Sequence, residues 1–167
     1  MNGVVVYRDF LTPQDQLTID ETILSASWKY DHSSTREEYD HSFWQIPNLE
    51  NHSFYSKYLL QKICDITKDS FDVERIYMNG HTAGSHGNLH IDSPYNHGRT
   101  FLIYCNKVWK PEMGGATFFK NEDEMESFYP HPYSAIYFRN NIQHFALPVA
   151  GDFKGLRVTL AFKLYLK

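Results

Sequence analysis

The chain has 167 residues, of which 42% are apolar, with 12 Phe, 12 Tyr and 3 Trp, and a formal net charge of −4. That length and content suit one aromatic-rich globular domain, and the acidic balance argues against a general affinity for a nucleic-acid backbone, which needs a basic face, while leaving room for a local basic groove. Cys64 and Cys105 are too few for a disulfide framework or a cysteine zinc site and read as reduced core thiols, and with no leader-like start or membrane-length apolar run the expectation is a cytoplasmic protein that makes no membrane contact.

In chain order, Val4 to Tyr7 reads as a short strand. Thr12 then serves as an N-cap, with Pro13 at the first helical position and Asp15 at the third. Leu17, Ile19, Ile23 and Leu24 are expected to form the buried side of this helix, which runs to about Ser25. Residues 28–50, with Ser33, Ser34 and Thr35 and the charged run Arg36, Glu37 and Glu38, read as a surface loop or as a lid over a site. The spacing of Phe54, Tyr58, Leu59, Ile63 and Ile66 predicts a second amphipathic helix over 51–68. After Phe71 short strand-like runs recur at 73–78, 88–92, 100–106, 116–119, 135–139, 143–148 and 156–166, broken by Gly, Pro and Asn. Residues 120–126 read as an acidic solvated turn. One domain over 1–167 is expected, mainly β: a helical support region over 1–70, packed on one outer face, and a sandwich or barrel over 71–167.

The motif Gly-Asn-Leu-His-Ile-Asp-Ser-Pro at 87–94 places His90 and Asp92 two residues apart in a β-prone run. In a strand both would project to one side. One imidazole and one carboxylate make two thirds of the facial triad that non-haem iron(II) takes, so a second imidazole must come from elsewhere. Of the other histidines, His144 lies in a late strand-like run. His32, His41 and His52 fall in the helical or loop half, His81, His86 and His97 in turns beside the motif, and His131 between prolines. Residues 155–162 alternate strictly, with Arg157, Thr159 and Ala161 on one face and Val158, Leu160 and Phe162 on the other. A guanidinium in such surroundings needs a carboxylate partner, from the protein or from a ligand. The short connection between His144 and Arg157 predicts that the two stand on adjacent antiparallel strands. Lys163 shares the Arg157 face and receives no role.

Four stretches carry a resemblance. They are Tyr77 to Asp92, Phe101 to Trp109 followed by Gly114-Gly115-Ala116-Thr117-Phe118-Phe119, Asn141 to Val149, and Gly155 to Phe162. In this order they resemble the iron(II)- and 2-oxoglutarate-dependent oxygenases, within them the prolyl 4-hydroxylase-like group. The resemblance implies a double-stranded β-helix, a jelly-roll-like barrel. It implies iron(II) held by His90, Asp92 and His144. The 2-oxoglutarate co-substrate would pair its far carboxylate with Arg157, with Tyr104, Thr159 and Tyr77 as further co-substrate contacts. Molecular oxygen would be consumed, succinate and carbon dioxide released, and ascorbate is a candidate reductant. A prolyl or other residue of a peptide or protein is the substrate class implied. The loops 93–99, 28–50 and 120–129 would select it, with Arg99, Trp109 and Arg139 as candidate contacts. Arg157 stands where animal collagen enzymes often have Lys, so a collagen substrate is not favoured, and the gap from His144 to Arg157 is a few residues longer than in that group.

Three other readings use the same residues differently: an oxygenase acting on a nucleic acid or small molecule, a non-catalytic jelly-roll binding module, and a cupin-type metal enzyme. The charge of −4 and the lack of a second Arg after Arg157 weigh against a nucleic-acid substrate. A binding module has no need of the ordered His90, Asp92, His144 and Arg157, and a cupin has no need of Arg157 and Tyr104.

Overall fold

The alternation along 155–162 becomes the middle strand of a seven-stranded antiparallel sheet. A computed structural model describes residues 3–35, 41–121 and 124–167. Its strands are β1 (Val4–Tyr7), β2 (Lys29–His32), β3 (Phe43–Ile46), β4 (Phe71–His81), β5 (Gly98–Tyr104), β6 (Thr117–Asn121), β7 (Glu124–Phe128), β8 (Ala135–Arg139), β9 (Gln143–Ala146) and β10 (Arg157–Leu166). The larger sheet has the order β1-β8-β5-β10-β4-β3-β2, and a smaller one the order β7-β6-β9. The helices are α1 (Pro13–Ser25) and α2 (Leu60–Thr67).

Two cores lie on the two faces of the larger sheet. On the outer face Val158, Leu160, Phe162 and Leu164 of β10, Ile76 and Met78 of β4, and Phe101 and Ile103 of β5 meet Ile19 of α1 and Tyr55, Leu59 and Ile63 ahead of and within α2. On the inner face Tyr104, Ile136 and Phe138 meet Phe119 of the small sheet, with the Phe119 and Phe138 rings edge to face at 4.8 Å. Helices cover one side and a second sheet the other, as expected of a jelly roll.

The start of α1 is as expected. Thr12 accepts from the Asp15 amide, Asp15 accepts from the Thr12 amide, and Pro13 occupies the first turn. Its buried side is not. Ile19 is buried, whereas Leu17 and Leu24 are 51% and 86% exposed. The inward stripe runs through Asp15, Ile19 and Ile23, spaced four apart, which turns Leu17 and Leu24 to solvent. Asp15 tolerates burial because it closes the capping box and pairs with Lys62 at 2.5 Å. The second helix is also more broken than predicted. A 3-10 turn (Leu49–Asn51) and a π-helical turn (Phe54–Leu59) precede α2, so Tyr55, Leu59 and Ile63 face inward and Tyr58 is largely exposed.

Residues 28–50 are not simply a loop. β2 and β3 extend the larger sheet beyond β4, and Phe43 and Ile46 are buried. Four-residue strands such as Lys29-Tyr30-Asp31-His32 have too little apolar alternation to register in a sequence. Arg36, Glu37 and Glu38 lie outside the described residues. The residues flanking the centre of the expected turn belong to the paired strands β6 and β7, while Glu122 and Asp123 lie outside the described residues. The strand β7 is the polar edge of its sheet, where pairing needs no apolar face.

Truncating Ile19 to Ala is expected to destabilise the protein by about 2–5 kcal/mol, and Leu24→Ala by less than about 0.5 kcal/mol. Urea unfolding of the two variants checks this, and equal losses would place the helix in the wrong phase.

Candidate active site

The His-x-Asp segment, expected as a strand, is a single bridge. His90 and His144 exchange both backbone hydrogen bonds, at 3.1 and 2.9 Å. Next to it the Asp92 amide donates to the Asn140 carbonyl at 2.8 Å. Backbone pairing therefore sets the two histidines side by side, with ring centroids 4.5 Å apart. Asp92 Oδ1 lies 3.5 Å from His90 Nε2 and Asp92 Oδ2 lies 3.6 Å from His144 Nε2. Among the described residues these three form a group of potential metal ligands whose donor atoms all lie within 4.8 Å of one another.

Each imidazole has its other nitrogen against a backbone carbonyl: His90 Nδ1 on Asn88 O at 2.7 Å, His144 Nδ1 on Ile142 O at 2.9 Å. A carbonyl only accepts, so in the neutral rings Nδ1 carries the proton and Nε2 presents a lone pair. Two lone pairs and a carboxylate then converge, an arrangement that repels itself unless a cation stands among them. Burial pushes His144 down to about 4, against the pull of Asp92, so it is in the neutral, ligating form. The donor set fits iron(II).

Lys163 is the residue that sequence reasoning missed. It is buried, forms an ion pair with Asp92 Oδ2 and donates to Thr100 Oγ1 at 3.1 Å. The Thr100 hydroxyl also lies 2.7 Å from Asp92 Oδ2. Burial by itself would raise the Asp92 carboxyl, but the Lys163 charge outweighs it and holds the group well below its ordinary value. The signal was available: Lys163 is in phase with Arg157 on an otherwise buried strand.

Arg157 lies at the other end of the same strand face. Its Nε donates to the Gly115 carbonyl at 2.6 Å and a terminal nitrogen to Thr117 Oγ1 at 3.3 Å. Its guanidinium carbon is 5.7 Å from the centre of the Tyr104 ring. Gly115 has φ +67, and a Cβ there would fall 2.7 Å from Arg157 Cδ, so glycine makes room for the cation. His144 and Arg157 do not stand on adjacent strands. β9 pairs with β6, while β10 lies between β5 and β4. The connection after β9 crosses from one sheet to the other, bridging Val149 to Gly114 on the way. The two residues consequently face each other across the barrel.

An inner chamber of about 70 Å³ joins the two ends, with His90, His144, Lys163, Tyr77, Thr159 and Arg157 in its wall. Tyr104 stands behind that wall, against Arg157 and Thr117. It is fully buried, donates to Thr117 Oγ1 at 2.8 Å and offers Arg157 its ring face. An outer vestibule of about 300 Å³ shares Tyr77, Asn79 and His90 with the chamber and adds Ser33, Arg75 and Ile91. Neither 93–99 nor 120–129 contributes to it among the described residues. Trp109 is a packing residue, buried against Phe153 with Nε1 on the Gly114 carbonyl at 3.0 Å. Arg99 binds the carbonyls of its own turn, Asn96 and Gly98. Arg139, opposite it on β8, points to solvent.

By sequence, no family model and no curated protein matches the chain. By structure it is similar to a prolyl hydroxylase from Trichoplax adhaerens in complex with a peptide fragment of the hypoxia inducible factor oxygen degradation domain. The TM-score is 0.79 at 15% identity, covering 99% of this chain and 84% of that one. An oxidoreductase of the 2-oxoglutarate–Fe(II) oxygenase family from Burkholderia pseudomallei matches with a TM-score of 0.78 at 11% identity, over 98% of this chain and 85% of that one. HygX from Streptomyces hygroscopicus, with nickel and 2-oxoglutarate bound, matches at 0.72 and 10% identity, over 98% and 82%. The fold is that of the 2-oxoglutarate–iron(II) oxygenases. On this oxygenase fold the chain places a His-Asp-His cluster at one end of a barrel chamber and a buried arginine at the other.

Replacing Lys163 by Met leaves a buried carboxylate without its cation and is expected to cost about 3–5 kcal/mol in metal-free protein. Manganese(II) should restore much of that stability by supplying the missing positive charge. Thermal melts of both proteins with and without the metal check this, and a variant that the metal stabilises no more than wild type would sink the pairing.

Proposed function

We propose that this protein is an iron(II)- and 2-oxoglutarate-dependent dioxygenase that hydroxylates a residue of a peptide or protein, a prolyl ring being the first candidate, with release of succinate and carbon dioxide. One observation carries the reading. Arg157 is 2% exposed, and among the described residues no carboxylate pairs with it. A buried guanidinium whose protein partners are a carbonyl, a hydroxyl and a ring face still lacks a counter-charge. The chamber connects it to a metal-type cluster, and a dicarboxylate that also chelates a metal answers both ends at once.

His90, Asp92 and His144 would hold the metal. Bound iron(II), with oxygen and the 2-oxo acid, supplies the oxidising chemistry. The chain's own residues do the rest. Arg157 binds the far carboxylate, with the Thr159 hydroxyl and Tyr77 along the same wall. Lys163 keeps Asp92 ionised and, with Thr100, fixes its carboxylate plane. Phe119 stacks on His144 at 5.6 Å and Phe138 meets it edge-on at 4.8 Å, so water is kept from that side of the ligand.

A peptide substrate is supported by the Trichoplax neighbour, whose structure holds one. The vestibule beside His90 and Asp92 is the place for it. Arg75 lies 5.2 Å over the Tyr77 ring there and forms part of its wall. The lack of a second Arg after Arg157 and the net charge of −4 weigh against a nucleic-acid substrate, and Lys163, the other cation on that face, is already paired with Asp92.

Anaerobic addition of iron(II) and 2-oxoglutarate should produce the visible metal-to-ligand charge-transfer band of the chelate. In His144→Ala the band should be lost while the circular dichroism spectrum is retained. Arg157→Gln should weaken 2-oxoglutarate about 10- to 100-fold, the worth of a charge-assisted hydrogen-bond pair, with metal affinity unchanged. Wild-type affinity for 2-oxoglutarate in the Arg157 variant would rule out the anchor. For the substrate, a library of proline-containing peptides screened by mass for the gain of one oxygen atom gives the direct test.

A further inference from the structure

Strand β4 ends on His81, which sequence reading placed in a turn. Its Cα is the cross-strand partner of Arg157, so the two side chains leave the sheet on the same face. His81 is 4% exposed and lines the chamber, yet neither Nδ1 nor Nε2 has a hydrogen-bond partner. Phe43 covers one side of its ring, with centroids 4.5 Å apart. Two unanswered polar atoms in one buried ring are uncommon, because each carries an uncompensated desolvation cost. Burial, then the charges of Arg157 and His86, push the imidazole down to about 3. The ring is therefore neutral at pH 7 and offers one N–H donor and one acceptor. Beside a buried guanidinium this is a useful combination. The arginine supplies the charge, and the imidazole adds a directed donor without a second desolvated cation.

We propose that His81 donates its ring N–H to the far carboxylate of the bound dicarboxylate, next to Arg157, and so takes part in recognising a 2-oxo diacid rather than a 2-oxo monoacid. The assignment rests on the oxygenase reading above. It differs from a purely structural role because it acts on one end of the ligand only.

Calorimetry on the full chain loaded with zinc(II) separates these cases. The ligands are N-oxalylglycine, an inert dicarboxylate analogue, and 2-oxopentanoate, which keeps the 2-oxo acid and lacks the far carboxylate. His81→Phe should weaken N-oxalylglycine about tenfold or more and leave 2-oxopentanoate and zinc affinity within about twofold. His81→Gln, which keeps an N–H donor, should recover most of the loss. Equal weakening of both ligands, or of neither, overturns the assignment while leaving the oxygenase reading in place. If zinc-loaded wild type binds no 2-oxo diacid at all, both fall together. Should the Phe variant fail to fold, nitrogen-15 spectra of histidine-labelled wild type decide. The His81 ring signals should move with N-oxalylglycine and stay with 2-oxopentanoate, and unmoved signals with both refute the contact.

Discussion

β10 has no face to give to water, and the site follows from that. Residues Arg157 to Leu164 are all buried. Four of them, Val158, Leu160, Phe162 and Leu164, pack under the helices. The opposite face carries Arg157 and Lys163, six residues apart, and both cations must be answered inside the protein. The effective cost of burying one unanswered ion is several kcal/mol. Lys163 is answered by Asp92 and Thr100. Arg157 receives a carbonyl, a hydroxyl and an aromatic face, and none of these is an anion. One strand thus gives the chamber a paired end and an end that still calls for a negative charge.

The ligand cluster depends on that strand as much as on its own motif. His90 and His144 are aligned by a two-way backbone bridge, and their carbonyl-bound Nδ1 atoms turn both Nε2 lone pairs toward Asp92. Left alone, three electron-rich groups would push apart or take up protons. Lys163 opposes this from the neighbouring sheet by holding Asp92 ionised. The rigidity of the pair comes from packing. Phe119 and Phe138 close on His144 from two directions, and Asn140, fully buried, receives the Asp92 and Ser93 amides on its carbonyl.

The parts of this arrangement legible in the sequence are those with a strong local pattern. Thr12-Pro13-Gln14-Asp15 is a complete capping signal, and it starts α1 where expected. The alternation of 155–162 is long and strict, and its two faces fall as read. His90, Asp92 and His144 are brought together. What was not legible depends on tertiary partners. Leu17 and Leu24 are apolar without being inward, because the phase of α1 is set by Asp15 finding Lys62. Edge strands β2, β3 and β7 pair through backbone groups and need little apolar content. The separation of His144 and Arg157 onto facing sheets turns on a crossing segment whose residues give no sign of it. The Tyr104 hydroxyl bonds to Thr117, which Arg157 also contacts, and no spacing rule connects these residues along the chain.

Charge accounting explains why two buried cations can share one small chamber. With neutral imidazoles, Asp92 and Lys163 cancel, and Arg157 leaves the chamber at one positive charge. A divalent metal alone would raise that to three, and a dicarboxylate alone would bring it to minus one. In a low-dielectric interior a net charge of three is costly. Together, metal and dicarboxylate add charges of plus two and minus two and return the chamber to where it began. The metal is therefore poorly accommodated without the dicarboxylate. The affinity of each should rise when the other is present, and by linkage the two enhancements must be equal. Lys163 is the residue that sets this balance: without it, the metal alone would bring the chamber to plus two rather than plus three.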